Sequence, residues 1–177
     1  MIEALISSKT RVKLLLKFFL NSNSKAHLRG LESEFSETSN AIRLEINRFE
    51  EAGMLKSEFK GNKKIFQANL EHPLFNEIHN ILLKQVGLDR VVEDVVKRLG
   101  EVERVFLVGE FSKGLDSDII DLIFIGNIDV NYLVQLIEKT EKLVKRKIRY
   151  VTYSEQESTN IDWSKYKPFP LLLWSKD

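Results

Sequence analysis

Residues 39–55 read SNAIRLEINRFEEAGML, and this stretch decides the first half of the fold. Ile42, Ile46 and Phe49 recur at spacings of four and three, which predicts one apolar face on a helix from Ser39 to about Ala52. Gly53 supplies the stop, because glycine enters the left-handed conformation that ends helices at little steric cost. The opposite face carries Ser39, Asn40, Arg43 and Asn47, with Thr38 at the helix start and Leu44 sharing part of the surface. Upstream, Leu28, Leu31 and Phe35 predict a short helix, separated from the first by Ser36-Glu37-Thr38. Ser7 and Ser8 precede Val12, Leu15, Leu16 and Phe19, the spacing of a further amphipathic helix, which Asn21-Ser22-Asn23-Ser24 breaks. Downstream, Leu55–Phe59 and Lys63–Ala68 flank Lys60-Gly61-Asn62 and read as a β-hairpin.

Helix, helix, helix, hairpin is the order of a winged helix-turn-helix. In that arrangement the second helix of the pair buries one face and offers the other to the major groove. The residue types suit this task. Arginine holds guanine bidentately and asparagine holds adenine. Hydroxyls and helix N-terminal amides suit phosphate oxygens. Lysines on a wing grip the neighbouring backbone without reading sequence. The expected contacts to double-stranded DNA are therefore Thr38, Ser39, Asn40, Arg43, Asn47, Lys60, Asn62, Lys63 and Lys64. For any one of them a solvated surface is the plainer explanation; the joint arrangement carries the expectation. Residues 8–70, and 39–55 above all, resemble the winged helix-turn-helix repressors related to arsenic-type regulators. There a helix ending Glu-Ala-Gly plus an apolar residue leads directly into the wing.

Pro73 opens another predicted helix with Ile78, Ile81, Leu82, Gln85 and Val86 in register. Gly87 interrupts it, and Leu88, Val91, Val92, Val95, Val96 and Leu99 continue the pattern. Val105–Val108 and Ile119–Ile125 are β-prone runs ended by glycine. A helix between Asn127 and Lys147, with Val130, Leu133, Ile137 and Val144 inward, then leads to a third strand, Ile148–Tyr153. This order implies a small α/β layer. The last stretch holds Trp163, Tyr166, Pro168, Phe169, Pro170 and Trp174, and its aromatic content predicts packing on a domain or a partner. The fold class expected is α+β, with a winged helix-turn-helix over residues 1–70, a helical linker or dimerisation region over 71–100, and an α/β domain over 101–177.

Residues 106–126, FLVGEFSKGLDSDIIDLIFIG, resemble the core of the minimal nucleotidyltransferase family, and the likeness extends over about residues 90–157. The resemblance implies a Gly-Ser turn that touches phosphate, two carboxylates that hold Mg²⁺, and a third carboxylate on a later strand. This chain departs from the pattern at each point. Glu110 follows Gly109 where serine is expected, which sets a carboxylate where phosphate would approach. Asp118 and Asp121 stand three apart, and alternating strand side chains three apart point to opposite faces. Asp116 and Asp118 have the proper spacing but lie further back in a shortened loop. The run Ile148–Tyr153 offers Arg149 and Tyr150 but no carboxylate, and Glu155 and Glu157 come after it. The expectation is a vestigial nucleotide pocket at Gly109, Ser112, Lys113, Asp116 and Asp118, with no catalytic residue, metal or cofactor.

The chain of 177 residues is 43% hydrophobic and 30% charged, which supports packed cores. It has no cysteine, so disulfides and thiolate metal sites are excluded. Residues 1–70 carry twelve Lys/Arg against eight Asp/Glu, whereas residues 71–177 carry fifteen against eighteen. The basic surplus thus falls on the half expected to meet nucleic acid. Lys13 and Lys17 break the apolar run near the N-terminus, so neither a signal peptide nor a membrane span is expected, and the address expected is cytoplasmic. His27 and His72 lie near predicted helix starts and His79 on a predicted helix as a surface or interface residue, without ligand spacing for a metal. Together these features predict a sequence-specific, homodimeric transcriptional regulator whose second domain serves as an effector or docking module for a small ligand or protein. The alternatives are a Mg²⁺-dependent nucleotidyltransferase with autoregulatory DNA binding, and an antitoxin-like protein-interaction module.

Overall fold

A computed structural model describes residues 2–166 and 170–176; Pro168 and Phe169 of the aromatic stretch lie outside the described residues. The chain divides into two compact units, residues 1–85 and 86–177.

In the first unit, α1 (Lys9–Leu15) is capped by Ser8, whose hydroxyl accepts from the Arg11 amide. It runs on through a wide π-type turn, Leu16–Leu20. Short β1 (Ala26–His27) leads to α2 (Leu28–Phe35), and α3 (Ser39–Glu51) follows a three-residue turn. The hairpin β2 (Leu55–Lys60) and β3 (Lys63–Ala68) turns at Gly61-Asn62, and β1 adds to the far side of β3, giving the antiparallel order β1-β3-β2. The helix α4 (Phe75–Val86) begins two residues after Pro73. Three helices carrying a two-stranded wing make this unit a winged helix-turn-helix.

Two inward patterns differ from the sequence reading. Val12 is only half-buried, whereas Leu14, Phe18 and Leu20 are buried beside Leu15, Leu16 and Phe19. The wide turn shifts the angular spacing of residues 16–20, so this segment is surrounded on all sides instead of along one stripe. In α4 the buried residues are Phe75, Leu82 and Val86, and Ile81 stays 48% exposed. Ile81 instead lines an open apolar groove of about 460 Å³ with Ile2, Leu5, Ile6, Leu15 and Phe49.

In the second unit, α5 (Leu88–Val91), a wide turn (Val92–Val96) and α6 (Lys97–Leu99) precede β4 (Val102–Val108). There follow α7 (Gly109–Ser112), β5 (Ile119–Gly126), α8 (Val130–Val144), β6 (Lys147–Tyr153), α9 (Glu155–Ser158) and β7 (Leu171–Ser175). The strands form one sheet in the order β6-β5-β4-β7, antiparallel except for the parallel pair β5 and β6. Gly87 (φ 93°) lets α5 approach α8: a Cβ there would fall 2.7 Å from Val144 Cγ1. The buried stripe of α8 is Leu133, Leu136, Ile137 and Thr140. Val130, expected inward, remains exposed, because the helix meets its packing partners from its second turn onward.

Part of the aromatic segment covers one face of the sheet. Ile161, Trp163 and Tyr166 pack against Phe106, Ile123 and Ile125, with the Trp163 ring 5.0 Å from that of Phe106. Residues of both faces of β5 are buried, which explains its nearly continuous apolar sequence.

Candidate functional site

The helix α3 is seated by charge as well as by its apolar stripe. Ile42, Ile46 and Phe49 are buried as expected, and Glu45 is buried among them. Its carboxylate accepts from Arg11 Nε of α1 at 2.8 Å and from Arg48 at 3.2 Å. Burial pushes the Glu45 carboxyl upward, but hydrogen bonds from Arg11 and Ser8 and the charges of Arg11 and Arg48 outweigh it, leaving the group below its ordinary value. The turn before α3 is held likewise. Lys13 Nζ donates to the Phe35 carbonyl at 2.9 Å and to Glu37 at 2.7 Å, and Lys17 pairs with Glu34 at 2.5 Å. The two lysines that interrupt the apolar run near the N-terminus are thus tethers from α1 to the helix pair.

This seating leaves Asn40, Arg43, Leu44 and Asn47 on the exposed face, at the i, i+3, i+4, i+7 positions of one stripe. Among the described residues Arg43 forms no ion pair, so its guanidinium is available to a ligand. Thr38 caps α3, its hydroxyl accepting from the Ala41 amide at 3.4 Å. The Ser39 hydroxyl donates to Glu32 of α2, which engages it in joining the two helices.

Across from the stripe stands the wing. Asn62 and Lys63 are exposed at its tip, and Lys60 lies 3.4 Å from Glu58. Lys64 has a different place: its Nζ donates to Glu50 of α3 at 2.7 Å and lies 5.2 Å from the centre of the Phe66 ring. Ser57 donates to the same Glu50, so this carboxylate clasps both wing strands. Burial raises the Glu50 carboxyl, but the hydrogen bonds from Lys64 and Ser57 and the Lys64 charge bring it below its ordinary value.

Between α3 and the wing runs a groove of about 540 Å³. Arg43, Asn47, Asn62, Lys63 and Lys64 of the expected set line it. Thr38, Ser39, Asn40 and Lys60 are not among its lining residues. Arg29, exposed in the first turn of α2, also lines it and was missed by the sequence reading, which treated α2 only through its apolar face. A cleft bearing Arg29, Arg43 and Lys63 beside two carboxamides can cradle a polyanion while offering donors and acceptors to base edges.

The depressed Glu45 and Glu50 carboxyls set a pH dependence. A carboxyl whose folded value lies below its unfolded value stabilises the fold above the unfolded value, and this stabilisation is lost as pH falls through the folded one. The first unit should therefore lose stability on acidification below the ordinary carboxylate range. Urea unfolding of the wild type and of Glu45→Gln across that range should converge at low pH.

The histidines serve the fold. His27 caps α2, accepting from the Gly30 amide at 2.9 Å, and His72 Nδ1 accepts from the Leu74 amide at 3.2 Å. His79 is half-buried where α4 meets the first helix: its Nδ1 meets the Phe19 carbonyl at 2.7 Å, and its ring stacks on Phe75. That contact requires the proton on Nδ1.

In the second unit, Gly109 (φ 70°) begins α7 directly against Asp121, so that a Cβ would fall 2.3 Å from Asp121 Oδ2. Three of the four carboxylates nearby each meet a cation. Asp121 accepts from Arg149 Nε at 2.5 Å, Glu110 pairs with Lys113 at 2.6 Å, and Asp116 pairs with Arg146 at 3.0 Å. The Asp121 carboxylate holds the Arg149 guanidinium above its ordinary value. Asp118 lies just before β5, exposed, with its carbonyl accepting from the Lys147 amide. Ser112 is buried and its hydroxyl donates to the Gly109 carbonyl at 2.8 Å. Gly109, Ser112 and Lys113 thus share one turn, whereas Asp116 and Asp118 belong to the following loop. Among the described residues no group of three or more His, Cys, Asp or Glu side chains is placed to hold a metal ion. No helix among them is long and apolar enough to cross a membrane.

No protein-family model matches this chain, and no curated protein matches it. Its fold is similar in part to solved structures. The transcriptional regulator BldR from Sulfolobus solfataricus is 16% identical over 55% of this chain and 72% of its own, with a TM-score of 0.37. A candidate regulator of arsenical resistance is 20% identical over 52% and 91%, with a TM-score of 0.31. A candidate nucleotidyltransferase from Sulfolobus solfataricus is 21% identical over 55% and 83%, with a TM-score of 0.34. At this level of likeness no neighbour's activity carries over, and the functional reading rests on the site itself.

Proposed function

We propose that this protein is a sequence-specific double-stranded DNA-binding transcriptional regulator that acts as a homodimer. The observation that carries this reading is the exposed stripe Asn40, Arg43, Leu44 and Asn47 on a helix fixed by Glu45, facing a cationic wing across an open groove. Arg43 and Asn47 read base edges, Leu44 meets a thymine methyl, and Arg29, Lys63 and the amides of the first α3 turn hold the phosphate backbone. Lys64, engaged with Glu50, positions the wing.

The test is a titration of duplex carrying the protein's own upstream region, at two salt concentrations. Arg43→Ala should weaken the preferred sequence by about 1–3 kcal/mol and relax selectivity at one position. Lys63→Ala should weaken all sequences alike and reduce the salt slope by about 1. Binding that is weak, unselective and erased by salt in the wild type sinks the proposal.

The homodimer is supported by the apolar groove around Leu5 and Ile81, both exposed. Ile81→Glu should leave the fold intact and yield monomers in sedimentation, with loss of affinity for paired half-sites. Wild-type protein that is monomeric at micromolar concentration overturns this part.

The second unit, in this reading, is a nucleotidyltransferase-like domain without turnover that serves as an effector or docking module. Its support is that Asp121, Glu110 and Asp116 each pair with a cation of the same unit, with which a Mg²⁺ ion would have to compete. Label transfer from any of the four nucleotides with Mg²⁺ present, abolished by Asp118→Ala, would make it an enzyme.

A further inference from the structure

The wing carries an aromatic side chain that the fold does not use. Phe59 is the last but one residue of β2, paired across the hairpin with Lys64, and it is 75% exposed. Alternation puts Leu55, Ser57 and Phe59 on one face of β2. That face is turned toward α3, because Ser57 and the cross-strand Lys64 both bond Glu50 of that helix. Leu55 and the Ser57 partner Phe66 are buried under it, but the core ends before Phe59. The ring therefore projects from the α3 side of the wing, beyond the clasp at Glu50. The exposed turn residues Asn62 and Lys63 and the cation of Lys60 follow it immediately in the chain.

Resting on the DNA-binding reading above, we propose that Phe59 is an apolar DNA-contact residue, packing its ring against deoxyribose and base edges of the duplex held by α3. Lys64, its cross-strand partner, is the cation on the Phe59 face, whereas Lys60 and Lys63 pair with each other on the alternate face; these lysines draw the polyanion to the wing but say nothing of what touches it there. A phenyl ring beside Lys64 at the end of the wing matches the apolar part of the ligand, the sugars and the edges and faces of bases, which proteins engage with apolar wedges. This contact is tolerant of sequence and, unlike the lysines, releases no counterions, so its contribution is independent of salt.

The experiment compares wild type, Phe59→Ala, Phe59→Leu and Lys63→Ala on the duplex of the upstream region across a salt series, with far-UV circular dichroism and sedimentation of each variant. Because Phe59 contributes little to the core, its variants should fold and sediment as the wild type does. Phe59→Ala should weaken binding about tenfold with the salt slope unchanged, and Phe59→Leu should recover part of the loss. Lys63→Ala should lower the slope instead. Equal affinity of Phe59→Ala and wild type overturns the inference while leaving DNA binding standing, as does a change in sedimentation without a change in affinity per subunit. Absence of binding by the wild type removes the DNA-binding reading itself, and this inference with it.

Discussion

Phe19→Ala is expected to lower the stability of the winged unit by about 3–5 kcal/mol, the range for truncating a fully buried phenylalanine. Phe19 is wholly buried, with its ring 5.6 Å from Phe75 of α4 and 6.4 Å from Phe49 of α3. It therefore joins α3 to α4, the helix that follows the wing. Since small domains have total stabilities of about 5–15 kcal/mol, the variant should be poorly folded on mild heating and should lose the proposed DNA binding through unfolding. Phe19→Leu conserves most of the volume and should cost under about 1.5 kcal/mol. Far-UV circular dichroism in urea measures both. The two tryptophans, Trp163 and Trp174, lie in the second unit, so their emission reports whether that unit unfolds in the same transition. An unchanged midpoint for Phe19→Ala would contradict the central place assigned to this ring.

Much of the first unit was legible because its elements are local. The 3.6-residue spacing of Ile42, Ile46 and Phe49 and the glycine turn at Gly61 are decided within a few residues, and each element formed near its expected bounds. What escaped the reading depends on partners distant in the chain. Glu45 falls on the apolar stripe at i+3 from Ile42, and an acidic residue there demands a buried cation; the pattern signalled it, but Arg11 stands 34 residues away. The same holds for Lys64, whose role is set by Glu50, 14 residues earlier. Phe59 looked like any strand former, because whether its ring is covered depends on where the core ends. In the second unit the run Leu171–Ser175 went unread as a strand. It pairs with β4 some 70 residues upstream, at Leu107↔Leu171 and Arg104↔Ser175, and that pairing is invisible to local periodicity. The departures from the nucleotidyltransferase pattern were legible as chemistry. Their consequence, a separate cation for each of Asp121, Glu110 and Asp116, needed the fold.

The turn at Gly109 gives the second large effect. Gly109→Ala imposes two costs that can be separated. The first is backbone strain: φ is 70°, and an L side chain in that region costs about 1–2 kcal/mol. The second is collision. The new Cβ would lie 2.3 Å from Asp121 Oδ2, 3.0 Å from its Cγ and 3.1 Å from its Cβ. Rotating the Asp121 carboxylate relieves the first of these contacts but not the last, which is fixed by the backbone of β5. It also breaks the bond to Arg149, whose guanidinium is largely solvated and will contribute little of its own. Overpacking of this kind adds about 1–3 kcal/mol, for a combined loss of about 2–5 kcal/mol. Pairing the change with Asp121→Gly closes a double-mutant cycle: removing the obstructing side chain should recover the collision and leave the strain. Additive losses would mean that Asp121 does not fill the turn. The expected coupling would mean that it does, so that an incoming phosphate would have to displace a carboxylate already seated against Gly109, where electrostatics and space both oppose it.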